Sequence, residues 1–287
     1  MIVLDAKVLE RVSEHAKFVD EQYAGRFFTA LQGSQNYHLN DEFSDVDTKT
    51  LLLPSFCSLC FGDNGKRSST TLLLPNGEHA DVKDYRDMFL MFRKQNVNFV
   101  EILFSEYADV TPYYQWYYDS LVAHKEEIAR YNPYQTIKAM VGHIKEKAAK
   151  FANSTVTTAP DVAKWGYDPK QLHHMIRLKD FLERYVTNEA YASILAYPSN
   201  RDYIIAVKRG LYPLEKATEI KNDILKWAQD FEEEWTKVFE NKPDERTEAF
   251  LREITVDLMA TKMKQELCGD CASVHSNCAT CHKHCKE

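Results

Sequence analysis

The feature that most constrains this chain is a pair of aspartates two residues apart, Asp45 and Asp47, at the head of an apolar strand-like run over residues 46–53. Because side chains two apart on a strand point to the same side, the two carboxylates should emerge together. They repel each other and lose solvation there, so a cation is expected between them. Carboxylate oxygens suit a hard divalent cation, and Mg²⁺ (or Mn²⁺) is the common choice beside phosphates.

A glycine-serine turn precedes the aspartates. Residues 27–31 form another strand-like run, which leads into Gly33-Ser34, where a short helix is expected to begin. The free backbone N–H groups of such a turn bind phosphate well. A phosphate cradle followed by metal-holding carboxylates predicts a nucleotide site for phosphoryl or nucleotidyl transfer. The alternative is an ordinary turn followed by a solvated strand end.

This arrangement resembles a known signature. Gly33-Ser34, ten intervening residues and then Asp45-Val-Asp47 resemble the motif of the DNA-polymerase-beta-like nucleotidyltransferase superfamily. The longer sequences around these residues, Gly-Ser-Gln-Asn-Tyr and Ser-Asp-Val-Asp-Thr-Lys, resemble those of the branch found in phage and bacterial RNA-repair contexts. The resemblance covers roughly residues 25–230. It implies an NTP substrate, with a two-metal mechanism.

A hairpin carries the third candidate carboxylate. Residues 71–74 and 78–83 flank a Pro-Asn-Gly turn, and Asn-Gly between two strand-like runs is a strong hairpin signal. Asp81 falls on the polar face of the second arm. By its position and its Asp-Val-Lys context, Asp81 matches the third metal-binding acid that the superfamily carries on a later neighbouring strand. The alternative is a surface charge on a half-exposed strand. Residues 55–70, before this hairpin, are expected to form a loop.

The pattern is helical from about residue 111 to residue 267, apart from a polar connection over 152–168 that is expected to lack secondary structure. Asp168-Pro169 predicts a sharp helix start, with Asp as the N-cap and Pro at the first helical position. On that helix, three cationic or ionisable residues recur at i, i+4 and i+7 and share a face. They are Lys170, His174 and Arg177.

This stripe is a candidate phosphate-binding face. Three such groups on one helix repel each other unless anions neutralise them, and Lys-x-x-x-His-x-x-Arg-Leu resembles a recurring element of the same branch. We expect Lys170 and Arg177 to grip a triphosphate or an RNA phosphate, Arg177 bidentately. His174 either donates to phosphate or packs as a satisfied histidine. Lys208, at the end of an apolar segment over 201–210, is a secondary candidate. Salt bridges to acidic surface groups are the alternative.

Glu101 lies in a segment that resembles the Asn-x-x-x-Glu-x-Leu-Phe element of this branch. Its neighbours are apolar, so its side chain is expected to be buried. A buried carboxylate is costly unless it is paired. We therefore expect Glu101 to orient a structural partner rather than to carry out chemistry.

Cysteine is concentrated in the last twenty residues. Cys268 with Cys271, and Cys278 with Cys281, form two CxxC pairs, and two such pairs can make a tetrahedral sulfur site for Zn²⁺. A Cys₃His site and a disordered thiol-rich tail are the alternatives. No secretory signal precedes the chain's first helix, so metal is favoured over disulfides. A third CxxC, Cys57 with Cys60, either joins that site or lies in a plain loop.

Bulk composition narrows the possible partners. The chain has 287 residues, of which 44% are hydrophobic and 28% charged, as in soluble globular proteins. No apolar run approaches the roughly 20 residues of a membrane span. We therefore expect a cytoplasmic protein, and the resemblance implies a bacterial cell or a phage-infected host. The net charge of −7 opposes binding of nucleic acid over the whole surface, so an RNA partner would need a local basic patch.

Together these features predict an α+β protein. Its parts are a nucleotidyltransferase core with a small mixed β-sheet over 1–110, an α-helical domain over 111–267 and a Cys/His-rich zinc tail over 268–287. The predicted reaction transfers NMP from an NTP to a hydroxyl group and releases pyrophosphate. The favoured acceptor is the 3′ end of a tRNA-like RNA. Asp45 and Asp47 would hold two Mg²⁺ ions, and Asp81 would complete the acceptor-side ion. A protein or small-molecule acceptor, or a non-catalytic RNA-binding adaptor using the zinc tail, are the alternatives.

Overall fold

The computed structural model describes residues 5–40, 44–62, 69–155 and 158–268. The strands are β1 (Arg26–Gln32), β2 (Asp47–Leu52), β3 (Ser69–Leu73), β4 (His79–Asp84) and β5 (Ala108–Val110). The α-helices are α1 (Ala6–Asp20), α2 (Phe56–Phe61), α3 (Tyr85–Arg93), α4 (Val97–Val100), α5 (Gln115–Ala123), α6 (Lys125–Ala129), α7 (Pro133–Lys150), α8 (Ala159–Trp165), α9 (Pro169–Tyr185), α10 (Tyr191–Ala196), α11 (Arg201–Lys208), α12 (Leu214–Val238) and α13 (Glu245–Cys268). Short 3-10 helices cover Ser34–Tyr37, Glu101–Leu103 and Pro112–Tyr114.

The five strands form one mixed sheet in the order β3-β4-β2-β1-β5. β1 is antiparallel to both of its neighbours, whereas β2 and β4 run parallel. The antiparallel register places Gln32 opposite Asp47, so the end of β1 and the start of β2 meet at one edge. The parallel register places Lys49 opposite Asp81. The predicted α+β class and mixed sheet are confirmed.

Side chains alternate along β2 between two environments. Leu51 packs in the main core with the helices that follow the sheet, whereas Leu52 packs with Val19 of α1. Thr48 bonds to His15 of α1, on the same side as Leu52. Because strand side chains alternate, Asp47 and Lys49 project with Leu51 toward the helices.

One hydrophobic core is shared by the sheet and the later helices. Phe28 of β1 and Met88 of α3 belong to the same buried cluster as Ile137 of α7, Met175 of α9 and Leu258 of α13. This cluster covers the sheet face that carries Asp47. The division of the chain between residues 110 and 111 stays a prediction.

Capping residues explain where several helices begin. The Asp168 side chain accepts the N–H of Lys170, and Pro169 is the first residue of α9, as predicted. The Asp84 side chain likewise accepts the N–H of Arg86 at the start of α3. In the described part of the chain, no helix combines the length and apolarity that crossing a bilayer demands.

Two segments predicted to lack secondary structure contain short helices. Within residues 55–70, the Ser55 side chain caps α2 by accepting the N–H of Ser58. Within residues 152–168, α8 ends at Gly166, which adopts a φ of 78°. In both segments, capping residues at the helix ends allow a short helix to form although the polar composition predicted none.

The cysteine predictions divide between described and undescribed residues. Cys57 and Cys60 lie on α2, where both are exposed free thiols rather than loop residues. Cys268 ends α13. The remaining predicted zinc ligands, Cys271, Cys278 and Cys281, lie outside the described residues, so the zinc site stays a prediction.

Candidate active site

A cavity of about 590 Å³ lies between the sheet edge and helices α7, α9 and α11. It gathers every residue that the sequence predicts for the nucleotide and magnesium sites. These residues are Gly33, Ser34, Asp45, Asp47, Asp81, Lys170, His174, Arg177 and Lys208. The sequence motifs, spread over more than half of the chain, thus meet at one place.

The glycine-serine turn forms one end of the cavity. Gly33 has a φ of 87° and a ψ of −150°, and the 3-10 helix Ser34–Tyr37 begins directly after it. The Asn36 side chain donates to the Leu31 carbonyl at 2.8 Å, which ties the turn back to β1. A Cβ added at Gly33 would meet nothing within 4 Å, so the backbone here is open to close approach by a ligand.

Asp47 carries a carboxylate oxygen that needs a partner. Its Oδ1 atom is buried and accepts no hydrogen bond from the residues that the structure describes, and the His79 Nδ1 atom lies 3.6 Å away. Burial raises the pKa of Asp47; His79 opposes this, and the neighbouring charge of Asp45 adds to it. A divalent cation would satisfy this oxygen and relieve the repulsion between the two carboxylates. The donor set of Asp45 and Asp47 therefore fits Mg²⁺ or Mn²⁺.

Asp81 lines the same cavity but already has partners. Its Oδ2 accepts the Lys49 ammonium at 2.5 Å, and its Oδ1 accepts the Lys83 ammonium at 2.8 Å. Burial alone would raise the pKa of Asp81, but the two lysines outweigh it and lower the pKa. Among the described residues, no group of three or more His, Cys, Asp or Glu side chains is arranged to hold a metal ion. The predicted metal-binding role of Asp81 stays a prediction.

Basic side chains from three helices line the opposite wall of the cavity, and its lysines and arginine carry positive charge. The basic residues are His143 and Lys147 on α7, Lys170, His173, His174 and Arg177 on α9, and Lys208 on α11. Burial, reinforced by neighbouring cationic groups, lowers the pKa of His173 to about 3 and lowers that of His174 well below its ordinary value. Both histidines are therefore neutral at pH 7, and an anion in the cavity would favour their protonation.

Arg177 is the most constrained cation of this wall. Its residue is 7% exposed, and its guanidinium stacks on the Tyr37 ring, 3.9 Å from the ring centroid. The Nε and Nη1 atoms are buried and have no hydrogen-bond partner among the described residues. Unsatisfied buried donors are costly, so a guanidinium held in this way is suited to an anionic ligand.

Glu101 is buried beside the turn, as predicted, with 2% of its surface exposed. Burial raises its pKa to about 7, opposed by the charge of Arg177 and by a hydrogen bond from the Gly33 N–H. The Gly33 N–H thus donates to the Glu101 carboxylate, and the orienting role of Glu101 stays a prediction. Lys49, His143, Lys147 and His173 are cavity residues that the sequence reasoning missed.

Comparison with known proteins gives little help in assigning this site. No family model matches the chain, and no curated protein matches it. Among solved structures, the chain is similar to the crystal structure of a nucleotidyltransferase-like protein from Exiguobacterium sibiricum 255-15, with 10% identity over 90% of this chain and 89% of that chain. The TM-score is 0.30, which is too low to establish a common fold. The class of site must therefore be inferred from the chain's own residues.

The charge arrangement limits the chemistry of this cavity. Carboxylates on the sheet side face basic residues on the helix side, with the open backbone of Gly33 at one end. Glu146 of α7, which pairs with Lys150, also lines the helix side. A polyphosphate fits such a place, because its oxygens can reach the cations while a divalent ion bridges them to the carboxylates. The residues of the cavity could therefore bind a polyphosphate together with a divalent cation.

Proposed function

We propose that this chain is a nucleotidyltransferase, which transfers a nucleoside monophosphate from an NTP to a hydroxyl and releases pyrophosphate. The observation that supports this is the meeting, in one cavity, of the Gly33-Ser34 turn, the Asp45/Asp47 pair and the cationic face of α9. The resemblance of these motifs to the DNA-polymerase-beta-like superfamily points to the same reaction.

The chain's own groups would bind and orient the triphosphate. The Ser34 hydroxyl and the backbone N–H groups of the turn can donate to the outgoing phosphates. Arg177 has two unused donors for a phosphate, and Lys170 and Lys208 add positive charge along the same wall. These groups act by positioning and by neutralising charge, which is most of what enzymes contribute to transfer at phosphorus.

Asp45 and Asp47 would hold the divalent cation. When bound, such an ion neutralises phosphate charge and lowers the pKa of a hydroxyl that contacts it. Asp47 suits this role because its Oδ1 atom is buried and no described residue forms a hydrogen bond with it. The bound ion would take the place of the contact between Asp47 and the His79 ring, which lies 3.6 Å from Oδ1.

An RNA 3′ end is the favoured acceptor. The net charge of −7 disfavours polynucleotide binding elsewhere on the surface, but the α7 and α9 wall concentrates cations beside the reaction site. The phage and bacterial RNA-repair branch that the motifs resemble points in the same direction.

Labelled nucleotides test the reaction and the acceptor together. The full chain is incubated with Mg²⁺ or Mn²⁺ and each α-labelled NTP, first with total RNA and then with total protein. We expect label in RNA, reduced at least about 100-fold by Asp45→Asn, as for loss of one group that stabilises transition-state charge. Asp230→Asn, on the exposed side of α12, is the matched control. Equal labelling by folded Asp45→Asn protein would overturn the proposal, and label in protein alone would replace RNA as the acceptor.

A further inference from the structure

We infer that this cavity takes a single divalent cation, at Asp45 and Asp47, and that the Lys49 ammonium supplies the positive charge at Asp81 in place of a second ion. This inference rests on the proposed nucleotidyl transfer and defines the metal requirement of that same site. It departs from the two-ion arrangement that the sequence predicts.

Both oxygens of Asp81 are already engaged. Oδ2 accepts from Lys49 at 2.5 Å, and Oδ1 accepts from Lys83 at 2.8 Å. The Thr71 hydroxyl lies a further 3.5 Å from Oδ1. A divalent ion on Asp81 would have to displace an ammonium group and would then lie beside two lysines that repel it.

The backbone holds Lys49 in this position. The parallel pairing of β2 with β4 places Lys49 directly opposite Asp81, and its side chain is 4% exposed. The Lys49 ammonium also lies 5.0 Å from the centroid of the Phe99 ring. A buried ammonium that loses its carboxylate becomes an uncompensated charge, so the pair resists exchange for a metal.

The other end of the cavity shows the opposite situation. Asp47 has a buried oxygen with no hydrogen-bond partner in the part of the chain that the structure describes, and the charge of Asp45 lies close by. The charge of Lys170 also acts on Asp47, and the His79 ring lies 3.6 Å from its Oδ1, whereas Asp81 directly accepts two lysine ammonium groups at 2.5 and 2.8 Å. The charge balance therefore favours a divalent ion at Asp45 and Asp47 and a lysine at Asp81.

Lys49 is thereby assigned a role toward the reacting phosphate. Its ammonium lines the cavity two residues along β2 from Asp47, on the same strand face. A fixed ammonium there can neutralise charge as the phosphorus is transferred, without dissociating between turnovers. Lys49 would be the charge-neutralising partner of the bound ion.

Counting bound Mn²⁺ tests this inference without any measurement of turnover. The full chain is titrated with Mn²⁺, and the free ion is followed by electron paramagnetic resonance. We expect one tight site in the wild-type protein, lost in Asp47→Asn and kept in Asp81→Asn. Lys49→Met, which frees an oxygen of Asp81, should gain a second site, whereas Lys49→Arg should keep one. Lys237→Met on exposed α12 is the control for loss of a lysine.

The outcomes separate this inference from the proposed function. Two tight sites in the wild type, with one lost in Asp81→Asn, would overturn the single-ion inference and leave nucleotidyl transfer standing if Asp45→Asn still abolishes labelling. No tight site in the wild type, together with no labelled product, would overturn both. If Lys49→Met or Asp81→Asn does not fold, the wild-type count and Lys49→Arg still decide between one ion and two.

Discussion

The Glu78 carboxylate accepts a hydrogen bond from the backbone N–H of Val46 at 2.6 Å, and Val46 is the residue between Asp45 and Asp47. The other oxygen of Glu78 contacts the fully buried His15 ring at 3.0 Å. The backbone that carries the two candidate metal ligands is thus held from behind by a buried carboxylate. Helix α1, through His15, and the β3–β4 turn, through Glu78, meet at this point.

Removal of the Glu78 carboxylate should destabilise the protein. Glu78→Ala leaves the Val46 N–H without its acceptor and leaves Arg11, which pairs with Glu78 at 2.6 Å, without its carboxylate. We expect the free energy of unfolding to fall by about 3 kcal/mol, the cost of unsatisfied buried donors and a broken ion pair. Urea denaturation measures this, with Glu233→Ala on exposed α12 as the control. A midpoint that moves no more than the control's would show that Glu78 does not hold this backbone.

Glu101 should make stability depend on pH near neutrality. Burial raises its pKa to about 7, whereas its ordinary value is 4.5. A carboxyl whose pKa is higher in the folded than in the unfolded state costs stability as pH rises between those two values. Glu101→Gln can still accept the Gly33 N–H but cannot ionise. We therefore expect the variant to gain up to about 3 kcal/mol relative to the wild type as pH rises from about 5 to about 8.

Urea denaturation of both proteins across that pH range checks the Glu101 prediction. Glu233→Gln, a change at an exposed carboxylate, should keep a constant difference from the wild type over the same range. Parallel pH profiles for the wild type and Glu101→Gln would contradict the prediction. They would mean that Arg177 and the Gly33 N–H compensate fully for the burial of Glu101.

Gly33 and Gly142 provide a matched pair for testing the turn. An added Cβ would meet nothing within 4 Å at either position, so neither change creates a clash. Gly33 has a φ of 87° and a ψ of −150°, a region open essentially to glycine, so Gly33→Ala should lose about 1–3 kcal/mol of stability. Gly142 lies inside α7, where Gly142→Ala should gain up to about 1 kcal/mol.

Thermal and urea denaturation measure both glycine variants. NTP binding by Gly33→Ala should also weaken, because the N–H groups of the turn would no longer point together into the cavity. Equal stability changes for the two variants would show that the turn tolerates a side chain. The special backbone conformation of Gly33 would then no longer support the proposal that the turn binds phosphate.

The sequence predicted the cavity residues better than it predicted their partners. The spacing of Asp45 and Asp47 on a strand, and of Lys170 and Arg177 on a helix, follows from local geometry alone, and both pairs line the cavity. Lys49 also lies on that strand face, but its pairing with Asp81 depends on which strand lies beside β2 and in which register. Those choices are made by the packing of the whole sheet, so no local pattern reveals them.

The same limit applies to Glu78 and to the short helices. From the sequence, Glu78 is predicted only to be the first residue of the second hairpin strand. Its hydrogen bond with the Val46 N–H depends on the packing of the β3–β4 turn against α1, which a local pattern does not reveal. Helix α2 has six residues and α8 seven, which is too short for a clear apolar period. Only their capping residues could have indicated these helices. Ser55, which caps α2, was not recognised as an N-cap when residues 55–70 were predicted to be a loop.

Arg177 should contribute more to NTP affinity than any surface cation of the same helix. Its unpaired Nε and Nη1 donors and its stacking on Tyr37 hold a planar fork ready for a phosphate. Arg177→Lys keeps the charge but loses the fork and the stacking. We expect the Kd for NTP to rise about 10–100-fold, the value of one or two charge-assisted hydrogen bonds.

Isothermal titration with a non-hydrolysable NTP measures the effect of Arg177→Lys. Arg184→Lys is the matched control, because Arg184 lies on the same helix but pairs with Asp180 and Glu189 outside the cavity lining. Arg184→Lys should therefore leave NTP affinity near the wild-type value while lowering stability. If Arg177→Lys binds NTP as tightly as Arg184→Lys does, the buried guanidinium serves packing on Tyr37 rather than phosphate binding, and the cationic wall must act through Lys170 and Lys208 instead.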